Sequence, residues 1–335
     1  MFRHTFFRYV LFFSISFIII FLSACGGPNS DADSESQNND ENYPDKEVKL
    51  IVPNEEGGTV DLAGRALAQG FKEETNQSLV VDNFAGGAGI PGTMELVNAD
   101  SDGYTLGLIP SGQLSLRPEL QDVDYNFPED FTPILGVGDF EMVFVTDYDA
   151  PYDDLSELVD YYKENDESPR LASTGKNTYA DILEVMISNE TDMEIRRLPF
   201  DGAPDAVNAV IGGNAEGAIV NLTNVSSQIE DDKIKVLGVP SEDRYDNFDE
   251  AKTFKEQGID VVGGTTFSLY GPADLSEEKA EEIKQIFLNS MEHEDFEKMV
   301  SNSNLLTTET NAEEIQEEIV KDKDNISKIK SDLEE

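Results

Sequence analysis

Cysteine occurs once in the 335-residue chain, as Cys25, so no disulfide can close within it and no cysteine cluster can hold a metal. Tryptophan is absent, and histidine appears twice, as His4 and His293. With so few imidazoles and no second thiol, the Ser-His-Asp and Cys-His arrangements of nucleophilic catalysis are hard to assemble. Basic charge is scarce as well: 24 Lys and Arg face 69 Asp and Glu, a net charge of −45. That field repels phosphate backbones, which excludes nucleic acid as a partner, and it disfavours docking of the folded part on anionic lipid. No Asp-x-Asp-x-Asp-Gly calcium loop occurs, so the acids read as solvated surface of the kind found in salt-adapted extracytoplasmic proteins. A hydrolase built on two carboxylates stays open by count alone, but no motif favours it.

The N-terminus carries Arg3, His4 and Arg8, an apolar run from Tyr9 to Leu22 broken only by Ser14 and Ser16, and then Leu22-Ser23-Ala24-Cys25-Gly26. This resembles the lipobox of bacterial lipoproteins, in which the cysteine is acylated and becomes the mature N-terminus. The resemblance implies a signal peptide over residues 1–24, a lipid on Cys25, and an extracytoplasmic protein anchored to the cell membrane. An uncleaved membrane helix is the other reading, and the apolar run is short for one. Residues 25–46 are acidic and nearly free of apolar side chains, so they are expected to form a disordered tether. The remainder is longer than one typical domain needs, and two lobes are expected.

The chain is organised around KLIVPNEEGGTVDLAGR, Lys49 to Arg65. Leu50-Ile51-Val52 is a short apolar run stopped by Pro53, as a buried parallel strand ends. Gly57, Gly58, Thr59 and Asp61 follow, then Leu62, Ala63, Ala66, Leu67 and Phe71 at helical spacing. A strand–glycine–helix junction leaves backbone N–H groups free at the helix N-terminus. It serves either as an anion-binding loop or as an ordinary turn capped by Thr59 or Asp61.

Further junctions of this type recur. Leu79-Val80-Val81 leads through Asn83 and the loop Phe84 to Gly92 into a helix at Thr93–Val97. No Gly-Lys-Ser/Thr follows and the dinucleotide spacing is missing, so no nucleotide cofactor is indicated. Strands are expected at Tyr104–Ile109, Phe140–Thr146, Arg170–Ala172, Ile195–Leu198, Gly217–Val220, Lys235–Val239, Val261–Gly263 and Phe267–Tyr270. Helices are expected at Leu155–Tyr162, from Thr178 through Met186, at Ala206–Ile211 and Asn224–Ile229, from Ser276 onward, and from Ala312 to the C-terminus. Such alternation argues for parallel sheets covered by helices, with ligands at the carboxyl ends of the strands.

Several words of the sequence resemble the tripartite tricarboxylate transporter solute-binding proteins, the Bug receptors. Pro53, Gly57, Gly58, Asp61 and Arg65 match the first-loop signature, and Asn83, Gly86, Gly87, Ala88, Gly89 and Gly92 are similar to the second. Asp102-Gly103-Tyr104-Thr105-Leu106 matches a third word letter for letter, and Asp130-Phe131-Thr132-Pro133-Ile134 a fourth. Ala172-Ser173-Thr174-Gly175 with Thr178, and Pro199-Phe200-Asp201-Gly202, resemble two more. The order is kept from Lys49 to about Pro272. Departures fall at Asp201, where the family usually has Lys, at Thr266, where Trp is common, and at Asp181, where His is usual.

The resemblance implies an α/β, two-lobed, type II periplasmic-binding-protein-like fold. Each lobe would be a mainly parallel sheet flanked by helices, with lobe 1 from residues 47–140 and 242–335 and lobe 2 from 141–241. A two-strand hinge would cross near Phe140–Thr146 and Val236–Ser241. It also implies a monomeric receptor, not an enzyme, that closes on a small tricarboxylate- or dicarboxylate-like acid and delivers it to the membrane permease of a tripartite carboxylate transporter. A sensory receptor acting on a membrane histidine kinase would use the same pocket. No cofactor is implied. The implied amide donors are Gly57, Gly58 and Thr59, with Asp61 fixing the loop. Gly86, Ala88 and Gly89 would line the same lobe, and Ser173, Thr174, Gly175, Thr178, Gly202, Ala203 and Asn221 would approach from the other. Each Ser, Thr or Asn could instead be a cap that never meets ligand.

Overall fold

The computed structural model describes residues 43–200, 202–245, 248–303 and 305–334. The signal segment, Cys25, the tether up to residue 42, and Asp201 lie outside them. In chain order the first sheet is built from β1 (Val48–Val52), α1 (Thr59–Thr75), β2 (Leu79–Asn83), α2 (Ile90–Val97), β3 (Thr105–Pro110), α3 (Ser111–Leu114), α4 (Leu116–Leu120) and β4 (Phe131–Phe140). The second comprises β5 (Met142–Asp147), α5 (Leu155–Asn165), β6 (Arg170–Ser173), α6 (Tyr179–Thr191), β7 (Arg196–Pro199), α7 (Ala203–Ile211), β8 (Gly217–Asn221), α8 (Ser226–Glu230) and β9 (Ile234–Gly238). The chain returns to the first sheet with β10 (Thr265–Pro272) and continues through α9 (Glu277–Met291), α10 (Glu294–Ser303), β11 (Leu306–Thr307) and α11 (Ala312–Glu334).

The strand orders are β11-β4-β10-β3-β1-β2 and β7-β6-β8-β5-β9. Both sheets are mixed. β1, β2 and β3 run parallel, as do β6, β7 and β8, whereas β10 runs antiparallel to β3 and β4, and β5 antiparallel to β8 and β9. The expectation of mainly parallel sheets missed the strands that carry the chain between the two bodies. β4 itself was hidden by Pro133, which sits opposite Tyr270 beside a register shift, the irregular position that proline tolerates in a sheet. Val261–Gly263, expected as a strand, is irregular.

Side-chain alternation along β1 sends Val48, Leu50 and Val52 to one face and Ile51 to the other. The first face is covered by α1, whose Val60, Ala63, Leu67 and Phe71 recur at helical spacing, and by α9, whose Phe287 ring lies 5.7 Å from that of Phe71. Burying each such side chain stabilises the fold by roughly 1.5–3 kcal/mol. α1 stops at Asn76, whose left-handed backbone (φ 58°) lets its N–H bond the Lys72 carbonyl. The second sheet is likewise covered on both faces, by α5 and α6 on one and α7 on the other.

Two boundaries differ from expectation. Tyr43–Lys46, expected in the tether, is docked on the first body: Tyr43 donates its hydroxyl to the Gly103 carbonyl at 2.6 Å, and Lys279 Nζ lies 4.1 Å from its ring centroid. The second crossing comes late. Tyr245, Ala251, Phe254, Ile259 and Val261 are buried in clusters of the second sheet, so this stretch packs there and the return is made at Thr265. α11 is also shared. Ile315 and Ile319 are buried with Ile109 and Tyr270 of the first sheet, while Ile326, Ile329 and Leu333 are buried with Ile182 and Val185 of the second.

Candidate functional site

Three loops leave the carboxyl ends of β1, β2 and β3. In the first, Gly58 is the N-cap of α1 in an extended conformation with no side-chain cap, so the first-turn amides from Thr59 onward have no partner of their own. Gly57 adopts φ +81°, which glycine reaches without strain. Its amide is not free, because it donates to Asp61 Oδ2 at 2.7 Å. Asp61 is buried and also accepts from Arg65 Nε at 2.9 Å, while Arg65 reaches Asn83 Oδ1 at 3.1 Å. Burial by itself would raise the Asp61 carboxyl, but hydrogen bonds from Arg65, Gly57 and Asn83 outweigh it and hold the group below the usual carboxylate range. The donor role implied for Gly57 is therefore corrected. The Gly58 amide makes only a long 3.4 Å turn contact with the Glu55 carbonyl.

In the second loop Gly86 and Ala88 are exposed, and Ala88 has left-handed φ of 55°. Gly89 is buried, and a Cβ there would lie 2.8 Å from the Pro53 carbonyl and 2.6 Å from Gln113 Nε2. Its amide bonds Gly86 and its carbonyl accepts from Thr93 Oγ1. Gly89 thus lets the three loops pack together and does not line open space. The third loop leaves β3 at Pro110 and turns directly into α3. Its Gln113 Oε1 is buried without a hydrogen-bond partner, as is Asn54 Oδ1 of the first loop. Such atoms are usually satisfied by water or a bound group.

The second sheet repeats the device of the first. Thr178 caps α6: its Oγ1 accepts from the Asp181 amide at 3.4 Å and donates to the Gly175 carbonyl at 2.9 Å. Asp181, three residues on, accepts the Asn177 amide at 2.8 Å and pairs with Arg197 at 3.1 Å. It stands to α6 as Asp61 stands to α1. Ser173 is fully buried with its hydroxyl 3.4 Å from the Gly175 carbonyl, so it holds the turn and does not face the cleft. Thr174 and Gly175 are half-buried. Gly202 caps α7 (φ 109°) without a side chain, leaving Ala203 at the first helical position.

Strand register places the two loop-bearing edges opposite each other. β4 ends at Phe140 beside Thr265 of β10, and Phe267 pairs with Pro110, the end of β3. After the single residue Glu141, β5 begins at Met142, paired with Asn221, the end of β8. The crossing at Glu141 therefore joins the carboxyl edge of one sheet to that of the other, and the Leu222 amide bonds the Glu141 carbonyl at 2.7 Å. The edges also touch at Tyr179, which was not foreseen. Its ring lies 3.6 Å from the Cβ position of Gly112, its oxygen 3.4 Å from Ser115 Oγ, and its hydroxyl donates to Asp322 of α11.

The arrangement offers neutral donors and few uncommitted cations, since Arg65 and Arg197 are already paired. Thr266 uses its amide on Ser111 Oγ and its hydroxyl on Glu318, so it supplies no aromatic wall. His293 Nε2 lies 3.1 Å from Glu73 and its Nδ1 accepts the Asp295 amide. Among the described residues, no group of three or more His, Cys, Asp and Glu side chains is placed to hold a metal ion, and no helix is long and apolar enough to cross a membrane.

The chain matches the model of the tripartite tricarboxylate transporter family receptor over residues 63–331, more than half its length. It is 30% identical over 236 residues to protein BugT of Bordetella pertussis, covering 69% of this chain and 72% of that one. A solved TctC solute-binding protein from Polaromonas, without ligand, superposes with TM-score 0.81 at 24% identity, covering 87% of this chain and 99% of that one. MatC from Rhodopseudomonas palustris, solved with bound malate, gives TM-score 0.66 at 19% identity over 85% of this chain and all of that one.

Proposed function

The chain belongs to the tripartite tricarboxylate transporter receptor family, and from that premise we propose that it captures a small organic carboxylate between the two loop-bearing edges and delivers it to a tripartite-type membrane permease. It would act outside the cytoplasm as a monomer, held to the cell membrane by a lipid on Cys25. The observation that carries the reading is the joining of the two carboxyl edges at Glu141, with uncapped helix starts at Gly58–Thr59 on one side and Gly202–Ala203 on the other. Such amides carry partial positive charge and attract an anion at short range, even inside a chain of net charge −45. Each charge-assisted hydrogen bond contributes roughly 1.5–3 kcal/mol, so a few reach the about −8 kcal/mol of micromolar binding. The fold neighbour that holds malate makes dicarboxylates the first class to test.

The test is calorimetry with a panel of dicarboxylates and tricarboxylates. Saturable binding by at least one, lost in Thr59→Arg because the new side chain fills the amide loop, is the expected result. No binding across the panel, or unchanged affinity in Thr59→Arg with the fold intact, would contradict the assignment. Cys25→Ala should release the protein from membranes, read by fractionation.

A further inference from the structure

On the first body α9, α10 and β11 border a groove of about 510 Å³ that shares no residue with the loops of the cleft. Leu288 and Met291 of α9 and Val300 of α10 give it an apolar floor. Each is half-buried: one side packs on the core that holds Phe71 and Phe287, and the rest is left to the groove. Glu292, Glu297 and Glu309 stand exposed at its rim, none with an ion pair among the described residues. No Lys or Arg lines it. The general scarcity of basic residues does not account for this, since the cavities beside β7, along α11 and at the crossings each have Lys or Arg in their walls. Thr307 of β11 also lines the groove. β11 pairs only with β4 and ends the six-stranded sheet, so among the described residues its outer side is an open edge, which can accept an added strand.

We propose that this groove docks an extended segment of a partner protein in which apolar and basic residues alternate. Side chains on one face of such a strand would meet the floor, and long basic ones would reach across to the rim glutamates. The chain itself supplies no such occupant. Its residues 26–42 carry Asp31, Asp33, Glu35, Asp40 and Glu41 and neither Lys nor Arg, and a second copy brings its own net charge of −45. Like charge turns both away from the rim, whereas a basic segment is drawn to it. The membrane permease is the partner that fits, and that identification alone rests on the function proposed above.

The experiment is fluorescence anisotropy of two dye-labelled peptides, Lys-Val-Lys-Leu-Lys-Val and Lys-Ser-Lys-Ser-Lys-Ser, with the full chain at about 0.15 M salt. The first should bind saturably and about tenfold or more tighter than the second, which keeps the charge and lacks the apolar face. Reversing the rim with Glu292→Lys, Glu297→Lys and Glu309→Lys together should weaken it by about tenfold or more. Glu164→Lys, Glu230→Lys and Glu250→Lys together reverse as many exposed charges on the second body and should change it by less than about twofold. Equal binding of the two peptides, or equal loss in the two variants, would mean attraction to the general acidic surface and overturn the proposal. The peptide comparison uses the wild-type chain and decides the matter even where a variant fails to fold. Absence of saturable binding would overturn it equally, as would self-association in sedimentation that the rim variant abolishes, which would make a second copy the occupant. Carboxylate calorimetry on the same proteins reads the cleft separately: its failure would count against the proposed function and leave the peptide result standing.

Discussion

Asp61 and Asp181 show how single side chains fix the loops that lead into α1 and α6. Each sits three residues beyond its helix cap, accepts an amide from four residues earlier, and is held by an arginine. Neither shapes its loop through contact with solvent: Asp61 is 1% exposed and Asp181 2%. Asp61→Ala strands the Gly57 amide and frees Arg65, so it should lower stability by about 1–3 kcal/mol, read by denaturant unfolding, and weaken carboxylate binding. The Asp61 carboxyl is depressed in the fold, so its contribution is present above the unfolded carboxylate range and fades as pH falls through the lower folded value. Wild-type affinity with an unchanged unfolding midpoint would contradict this role. The pair of acids was legible in part, since Asp61 reads as a cap from its spacing. The diversion of the Gly57 amide was not, because sequence spacing does not say which of two donors a carboxylate takes.

α11 is the element that ties the two sheets together beyond the crossing at Glu141. Its first half is buried with one body and its second with the other, and between them Glu318 accepts from Thr266 and Asp322 from Tyr179. Both carboxyls line a cavity with Asp139, Glu242, Glu314, Glu317 and Lys321 at the crossings. Burial, reinforced by Asp322 and Asp139, pushes Glu318 up to about 7; burial likewise lifts Asp139 and Asp322 to about 6. A carboxyl raised in the fold stabilises it below the unfolded value, and that contribution is lost as pH rises through 6 to 7. The unfolding midpoint should therefore fall between pH 5 and pH 8, and Glu318→Gln should flatten the fall. A variant as pH-sensitive as the wild type would contradict this. The helix itself was foreseen from Ala312 onward. Its division between two cores was not, because an apolar stripe states that a helix is buried without naming the surface that buries it. The same limit explains the stretch before Thr265: its apolar positions were visible, but not the sheet they would cover.

The whole molecule carries a net charge of −45, while the proposed carboxylate site relies on neutral donors. Self-repulsion should make stability rise with salt, since screening shortens from about 10 Å at 0.1 M to about 3 Å at 1 M. A melting temperature that climbs with sodium chloride is the expected result, and one that stays flat would show the surface charges to be locally compensated. Closure of the two sheets on a carboxylate should appear as compaction in solution scattering. The junctions of strand, glycine loop and helix were legible from the sequence, as was their meeting at strand carboxyl ends. Tyr179 as the side chain that meets both edges was not, because it precedes an ordinary helical stripe. The most direct measurement is an amide-resolved NMR titration with the tightest carboxylate from the panel. The amides of Gly58 and Thr59 on one sheet and of Gly202 and Ala203 on the other should shift together, over the same ligand concentrations. Shifts confined to one sheet, or absent from both sets while the ligand binds elsewhere, would contradict capture between the two edges.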